Sequence, residues 1–124
     1  MSKRLEISPS KNTPEILGDV DSRTFSIKGN SFPENARKFY AKVNEYVSFY
    51  CENCKEVSIT CEFNYLASSS LITVLNIIKN FEKHLGSDNC SLEWKYEDDD
   101  DDILKIGEDF QKVLEMEMKF TPIN

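Results

Sequence analysis

The chain carries a single histidine and no apolar run approaching the roughly 18 residues of a membrane span. His84 is therefore the one side chain suited to base catalysis near neutral pH, and it falls in the last turn of a helical pattern, where it reads as a surface residue. There is no glycine-rich nucleotide loop, no Gly-x-Ser-x-Gly elbow and no histidine close in sequence to a nucleophile, so the primary structure offers no catalytic constellation. The opening Met1-Ser2-Lys3-Arg4 lacks the apolar core of a secretory signal, and the expected location is the cytoplasm. Bases are outnumbered, 15 against 22 acids for a net charge of −7, and they are scattered. A phosphate backbone demands clustered Lys and Arg, so the expected partners are proteins and not nucleic acid or membrane.

Cysteine is present four times without forming a recognisable centre. Cys51 and Cys54 make one Cys-x-x-Cys, and the second pair that a structural zinc site takes is missing. A thioredoxin-like motif opens a helix, whereas Cys51 lies where a helical pattern ends. Cys61 and Cys90 fall in or beside strand patterns and read as small buried hydrophobes. Reduced, structural cysteines are expected, with no metal and no cofactor. The six acids Glu97 to Asp102 contain no glycine and do not follow the alternating ligand spacing of an EF-hand loop. They precede a helix, whose dipole favours carboxylates in its first turn.

What is present describes one domain, residues 1–124, with 30% charged and 40% hydrophobic residues. Residues 1–12 are polar and expected to be loosely ordered. Glu15 to Leu17 suggests a short strand ending in a turn at Gly18-Asp19, and Thr24 to Lys28 a second strand broken by Gly29-Asn30-Ser31. Phe39, Tyr40, Val43, Tyr46, Val47 and Tyr50 recur at helical spacing behind a cap supplied by Asn35 or Ser31. Val57, Ile59, Cys61, Phe63 and Tyr65 alternate with polar residues, the clearest strand in the chain. A helix follows on Leu71, Val74, Leu75, Ile78, Phe81 and Leu85, closed by Lys83, His84 and Gly86. Leu92, Trp94 and Tyr96 mark another strand. Ile103, Ile106, Phe110, Val113 and Leu114 mark a last helix, and Phe120 a final strand or packed tail. The expectation is an α/β domain: a mixed sheet of four to five strands packed with three or four helices.

Between the clearest strand and the second helix lies Asn64-Tyr65-Leu66-Ala67-Ser68-Ser69-Ser70-Leu71. Serines at a strand-to-helix junction cap the helix. They can also carry a phosphate, because free amides and the positive dipole end favour an anion there. Local chemistry alone favours the capping reading.

The ordered motifs Thr13-Pro14-Glu15-Ile16, Ile27 to Asn35, Phe63 to Ser70, Trp94-Lys95-Tyr96 and Gly107-Glu108-Asp109-Phe110 resemble the SiaC-like family of bacterial regulatory phosphoproteins, over about residues 13 to 120. That resemblance implies a fold like anti-sigma-factor antagonists and a non-catalytic protein switched by a dedicated kinase and a PP2C-type phosphatase. It also implies an effector, a diguanylate cyclase activated by the unphosphorylated form, and hence control of cyclic-di-GMP and biofilm. The family's acceptor threonine corresponds to Ser68 here, and alanine stands at 67 where the family has asparagine. Tyr65, Leu66, Ser69, Ser70 and Leu71, with Pro33, Glu34 and Asn35, are expected at the partner surface, Tyr65 having the core as its alternative. Two rival readings are a small hydrolase using Ser68 or Cys61 with His84, and a metal-binding domain built on Cys51 and Cys54.

Overall fold

Alternation of apolar and polar residues decides which face of each strand is buried. In Val57–Leu66, Val57, Ile59, Cys61 and Phe63 are buried while Ser58, Thr60 and Glu62 are not. The computed structural model, which describes residues 2–124, builds such strands into one six-stranded sheet. Its elements are β1 (Arg4–Ile7), β2 (Glu15–Asp19), β3 (Thr24–Ser31), α1 (Ala36–Asn53), β4 (Val57–Leu66), α2 (Ser68–Leu85), β5 (Cys90–Glu97), α3 (Asp101–Val113) and β6 (Glu117–Ile123), with a 3-10 turn at Ser87–Asn89. The sheet order is β1-β2-β3-β4-β5-β6; the first two pairings are antiparallel and the other three parallel. The α/β class with a mixed sheet and three helices is as the sequence implies, but the sheet has six strands and not four or five.

The strand beyond the expected count is β1, at one edge. The expected loose start is instead β1, where Leu5 and Ile7 pack on the core and Arg4 pairs with Asp19 in register. The Tyr46 hydroxyl fastens it further by donating to the Lys3 carbonyl at 2.8 Å. Four residues of alternation are too few to read as a strand alone; pairing with β2 supplies the missing hydrogen bonds. At the other edge, Phe120 belongs to β6. Gly18-Asp19 is strand and not turn, paired with β1 on one side and β3 on the other; the Tyr46 ring fills the space a Cβ at Gly18 would need, 2.5 Å from Cε2. Gly29 to Ser31 likewise stays in β3, with Gly29 at φ 122° where the register with β4 shifts by one residue.

The core lies between one sheet face and the three helices. Phe25 packs on Phe81, Phe81 on Tyr50, and Trp94 on both Phe63 and Phe110. The Trp94 indole donates to the Ile103 carbonyl at 3.0 Å, so this buried N–H is satisfied. Gly107 lets α3 approach: a Cβ there would sit 2.6 Å from the indole and 2.9 Å from Phe120. Val113, expected on the apolar side of α3, is instead 52% exposed at the helix end, and Leu114 beyond it is buried.

Asn35, not Ser31, caps α1, accepting from the Lys38 amide at 3.1 Å. Ser31 is fully buried, and its hydroxyl pairs with Tyr40 at 2.7 Å. Asp100 caps α3 by accepting from the Ile103 amide at 3.0 Å, and Asp101 and Asp102 occupy its first turn. Part of the acidic run thus serves this helix start.

Two predictions follow from the packing. Gly107→Ala is expected to lower stability by about 1–3 kcal/mol through crowding against Trp94, the gain in helix propensity being smaller. A shifted urea midpoint at unchanged slope would show it, and an unchanged midpoint would contradict the close approach. Burial also pushes the Cys61 thiol up to about 12. Cys61 should stay unalkylated in the folded protein at mildly alkaline pH and label once urea unfolds it, as mass mapping would read; labelling in the folded state would contradict its placement.

Candidate functional site

The carboxyl ends of β3 and β4 set the site. Where Gly29 pairs with Phe63, the next pair is Asn30 with Tyr65, so Asn64 is one extra residue in β4. The bulge reverses the alternation: Tyr65 points out, 55% exposed, and Leu66 points in at 6%. The sequence alternation continues to Tyr65 without a break, which is why the core remained open for it. Outside, Tyr65 meets Phe32 edge-on, ring centroids 5.5 Å apart, and Phe32 is itself 39% exposed.

The chain then enters α2 at Ala67, whose amide donates to the Ser31 carbonyl at 2.9 Å. Ala67 is the N-cap residue and has no side-chain acceptor to offer. Its carbonyl accepts from the Ser70 and Leu71 amides at 3.0 and 2.9 Å. The Ser68 and Ser69 amides have no protein acceptor among the described residues. No acid occupies the first turn. Of the three helix starts, α2 is therefore the one without a side-chain cap or a compensating negative charge.

The three serines differ sharply. Ser68 and Ser69 are exposed in the first turn of the helix. Ser70 is fully buried and its hydroxyl finds no partner, so its expected place on the partner surface is corrected: at the third helical position it faces the core. Leu66 is likewise buried, and Leu71 is half-buried. Pro33 is half-buried, while Glu34 and Asn35 are exposed, the Asn35 side chain being engaged as the α1 cap. Phe32 and Ile72, the latter 58% exposed, were not among the expected residues. Phe32 had one signal, a large apolar residue between a strand end and a proline; Ile72 had none, since it sits beside the apolar stripe of α2.

The catalytic constellation of the hydrolase reading is not brought together. Ser68 and His84 stand at opposite ends of α2, about 24 Å apart along the axis. His84 Nδ1 is 2.8 Å from the Asn80 carbonyl. Cys61 is enclosed in the core. For the metal reading, the Cys54 thiol donates to the Glu56 and Val20 carbonyls, and burial pushes the Cys51 thiol up to about 11. Among the described residues no group of three or more His, Cys, Asp or Glu side chains is placed to hold a metal. Among the described residues no helix is long and apolar enough to cross a membrane.

Comparison with known proteins places the chain in a family and a fold. The SiaC family of regulatory phosphoproteins matches residues 7–123. An uncharacterized protein of Pseudomonas aeruginosa strain UCBPP-PA14 is 27% identical over 110 residues, 87% of either chain. Among solved structures, apo-SiaC from Pseudomonas aeruginosa superposes with a TM-score of 0.86 at 24% identity, covering 98% of this chain and 99% of its own. A chain in the crystal structure of the diguanylate cyclase SiaD in complex with its activator SiaC, from the same organism, gives 0.87 at 22% identity, covering 96% and 99%. Those two likenesses show a shared fold. The match over residues 7–123 goes further: the chain belongs to the SiaC family of regulatory phosphoproteins.

Proposed function

We propose that this chain is a non-catalytic, cytoplasmic signalling protein switched by reversible phosphorylation at Ser68. A protein kinase adds the phosphate, a PP2C-type phosphatase removes it, and the unphosphorylated form binds a diguanylate cyclase, controlling cyclic-di-GMP and biofilm formation. The observation that carries this reading is the exposed Ser68 hydroxyl at the one helix start lacking a side-chain cap. Free amides and the positive dipole end there suit an anion. Ser70 is enclosed and cannot meet a kinase in the folded state. The relative solved as a complex of SiaD with its activator SiaC supports a cyclase as the effector class.

The switch works through a difference in environment. A phosphate adds about −1.5 to −2 charge at pH 7. In the free protein it sits in water beside unpaired amides and costs the fold nothing. In a complex packed over Tyr65, Phe32, Ser69, Leu71 and the Pro33-Glu34-Asn35 segment, the same charge must be desolvated, which costs several kcal/mol if it is unpaired. Each 1.4 kcal/mol is tenfold in affinity, so one modification releases a partner without unfolding either protein. Leu66 contributes from inside, by holding the turn that presents Tyr65.

Phosphoserine installed at 68 is expected to weaken cyclase binding by about tenfold or more while leaving the thermal midpoint unchanged or slightly raised. Ser68→Ala should bind the cyclase but accept no phosphate from the kinase, and Ser70→Ala should accept it normally. Equal cyclase affinity of the phosphorylated and free forms, by calorimetry, would contradict the switch. Restoring the family asparagine, Ala67→Asn, should stabilise the fold by about 0.5–2 kcal/mol by capping the open amides, read from urea unfolding. No gain would mean those amides are already satisfied.

A further inference from the structure

The outer face of α2 carries a feature that the Ser68 switch leaves unused. Ile72, Asn76, Lys79 and Lys83 recur at helical spacing, form one stripe and are all exposed. Arg37 of α1 faces this stripe across a groove of about 520 Å3, lined also by Ala41 and Asn44 of α1 and by Thr73 of α2. No acid lines that groove. The one acid of α2, Glu82, is turned elsewhere, its carboxylate accepting the amides of Glu115 and Met116. Among the described residues, Arg37, Lys79 and Lys83 enter no ion pair. In a chain of net charge −7, Arg37 and the exposed Ile72 thus line one groove, and Lys79 and Lys83 continue the α2 stripe beyond it.

We propose that this groove docks an acidic amphipathic helix of a protein partner. Ile72 receives an apolar side chain, Arg37 pairs with an acid at the groove, and Lys79 and Lys83 pair with acids farther along the α2 stripe. The shape suits a helix, because two helices packed side by side leave a furrow into which the ridge of a third fits. The stripe from Ile72 to Lys83 runs about 16 Å, three turns of such a segment. The charge selects the occupant: Arg37 lines the groove with no acid beside it, Lys79 and Lys83 extend the same positive stripe, and opposite charges on the approaching helix speed and orient its docking. Ser68 and Ser69 stand at the head of the stripe, so a phosphate there places negative charge at the mouth of the groove and repels the acidic helix. This release rests on the Ser68 reading; the docking does not.

The test uses stapled helical peptides of about 18 residues with leucines along one face and flanking glutamates, beside a lysine-flanked twin. The full chain should bind the glutamate peptide in a salt-dependent manner and not the lysine peptide, by fluorescence anisotropy, with amide shifts confined to the α1–α2 groove. Ile72→Asp, and Arg37→Glu combined with Lys79→Glu, should each weaken that binding about tenfold at unchanged thermal midpoints. Equal binding of both peptides, no binding of the glutamate peptide, or shifts elsewhere would overturn the proposal. So would tighter binding to phosphatidylglycerol vesicles or to a DNA duplex that the same substitutions abolish. Phosphoserine at 68 should weaken the glutamate peptide about fivefold. Undiminished binding of the phosphorylated chain, with the groove variants still defective, would overturn the release and leave the docking intact.

Discussion

Handedness governs this molecule. Strands β3 to β6 are parallel and laid down in sequence order, and a crossover between parallel strands is right-handed in nearly all cases. Three such crossovers made in one direction place all three helices on one face. That face holds the core, from Phe25 to Trp94. The opposite face is left to water, and its residues suit it: Glu6, Leu17, Ser26, Thr60, Glu93 and Lys119 lie opposite one another across the six strands. The same geometry brings the starts of α1, α2 and α3 to the carboxyl edge of the parallel strands, where open α/β sheets place their sites.

Along that edge the chain treats its helix starts unequally. α1 is capped by Asn35, and α3 by Asp100 with two further acids behind it. α2 has Ala67 and serines. The bulge at Asn64 turns Tyr65 outward beside Phe32 just before that uncapped turn. A small polar segment with free amides thus lies beside exposed aromatic surface. The interior beneath is closely packed and aromatic, so the fold does not depend on what happens at Ser68.

Much of this was legible in the sequence. Long periodic elements, β4 and the three helices, lie where alternation and 3.6-residue spacing put them, because each has one wet and one dry face. The β1 edge was not legible: β1 is four residues long, and its Leu5 and Ile7 signify a strand only once β2 is beside them. Gly18 carries every local sign of a turn, yet it is paired on both sides as strand, and a tyrosine 28 residues later occupies its side-chain space. At the site, the serines were found as a group, but helical phase separates exposed Ser68 and Ser69 from buried Ser70. Tyr65 could not be placed because a bulge leaves no mark on the pattern that precedes it. The basic stripe on α2 was hidden by an acidic total and becomes visible once α1 brings Arg37 alongside.

The account rests on Ser68 as the residue that carries the regulatory charge. Intact mass and peptide mapping of the protein isolated from its own cells, before and after treatment with a PP2C-type phosphatase, address it most directly. The account predicts a single phosphatase-sensitive phosphate, mapped to Ser68. A phosphate found only on another residue, or none under any growth condition, would contradict it and leave Ser68 as an ordinary first residue of a helix.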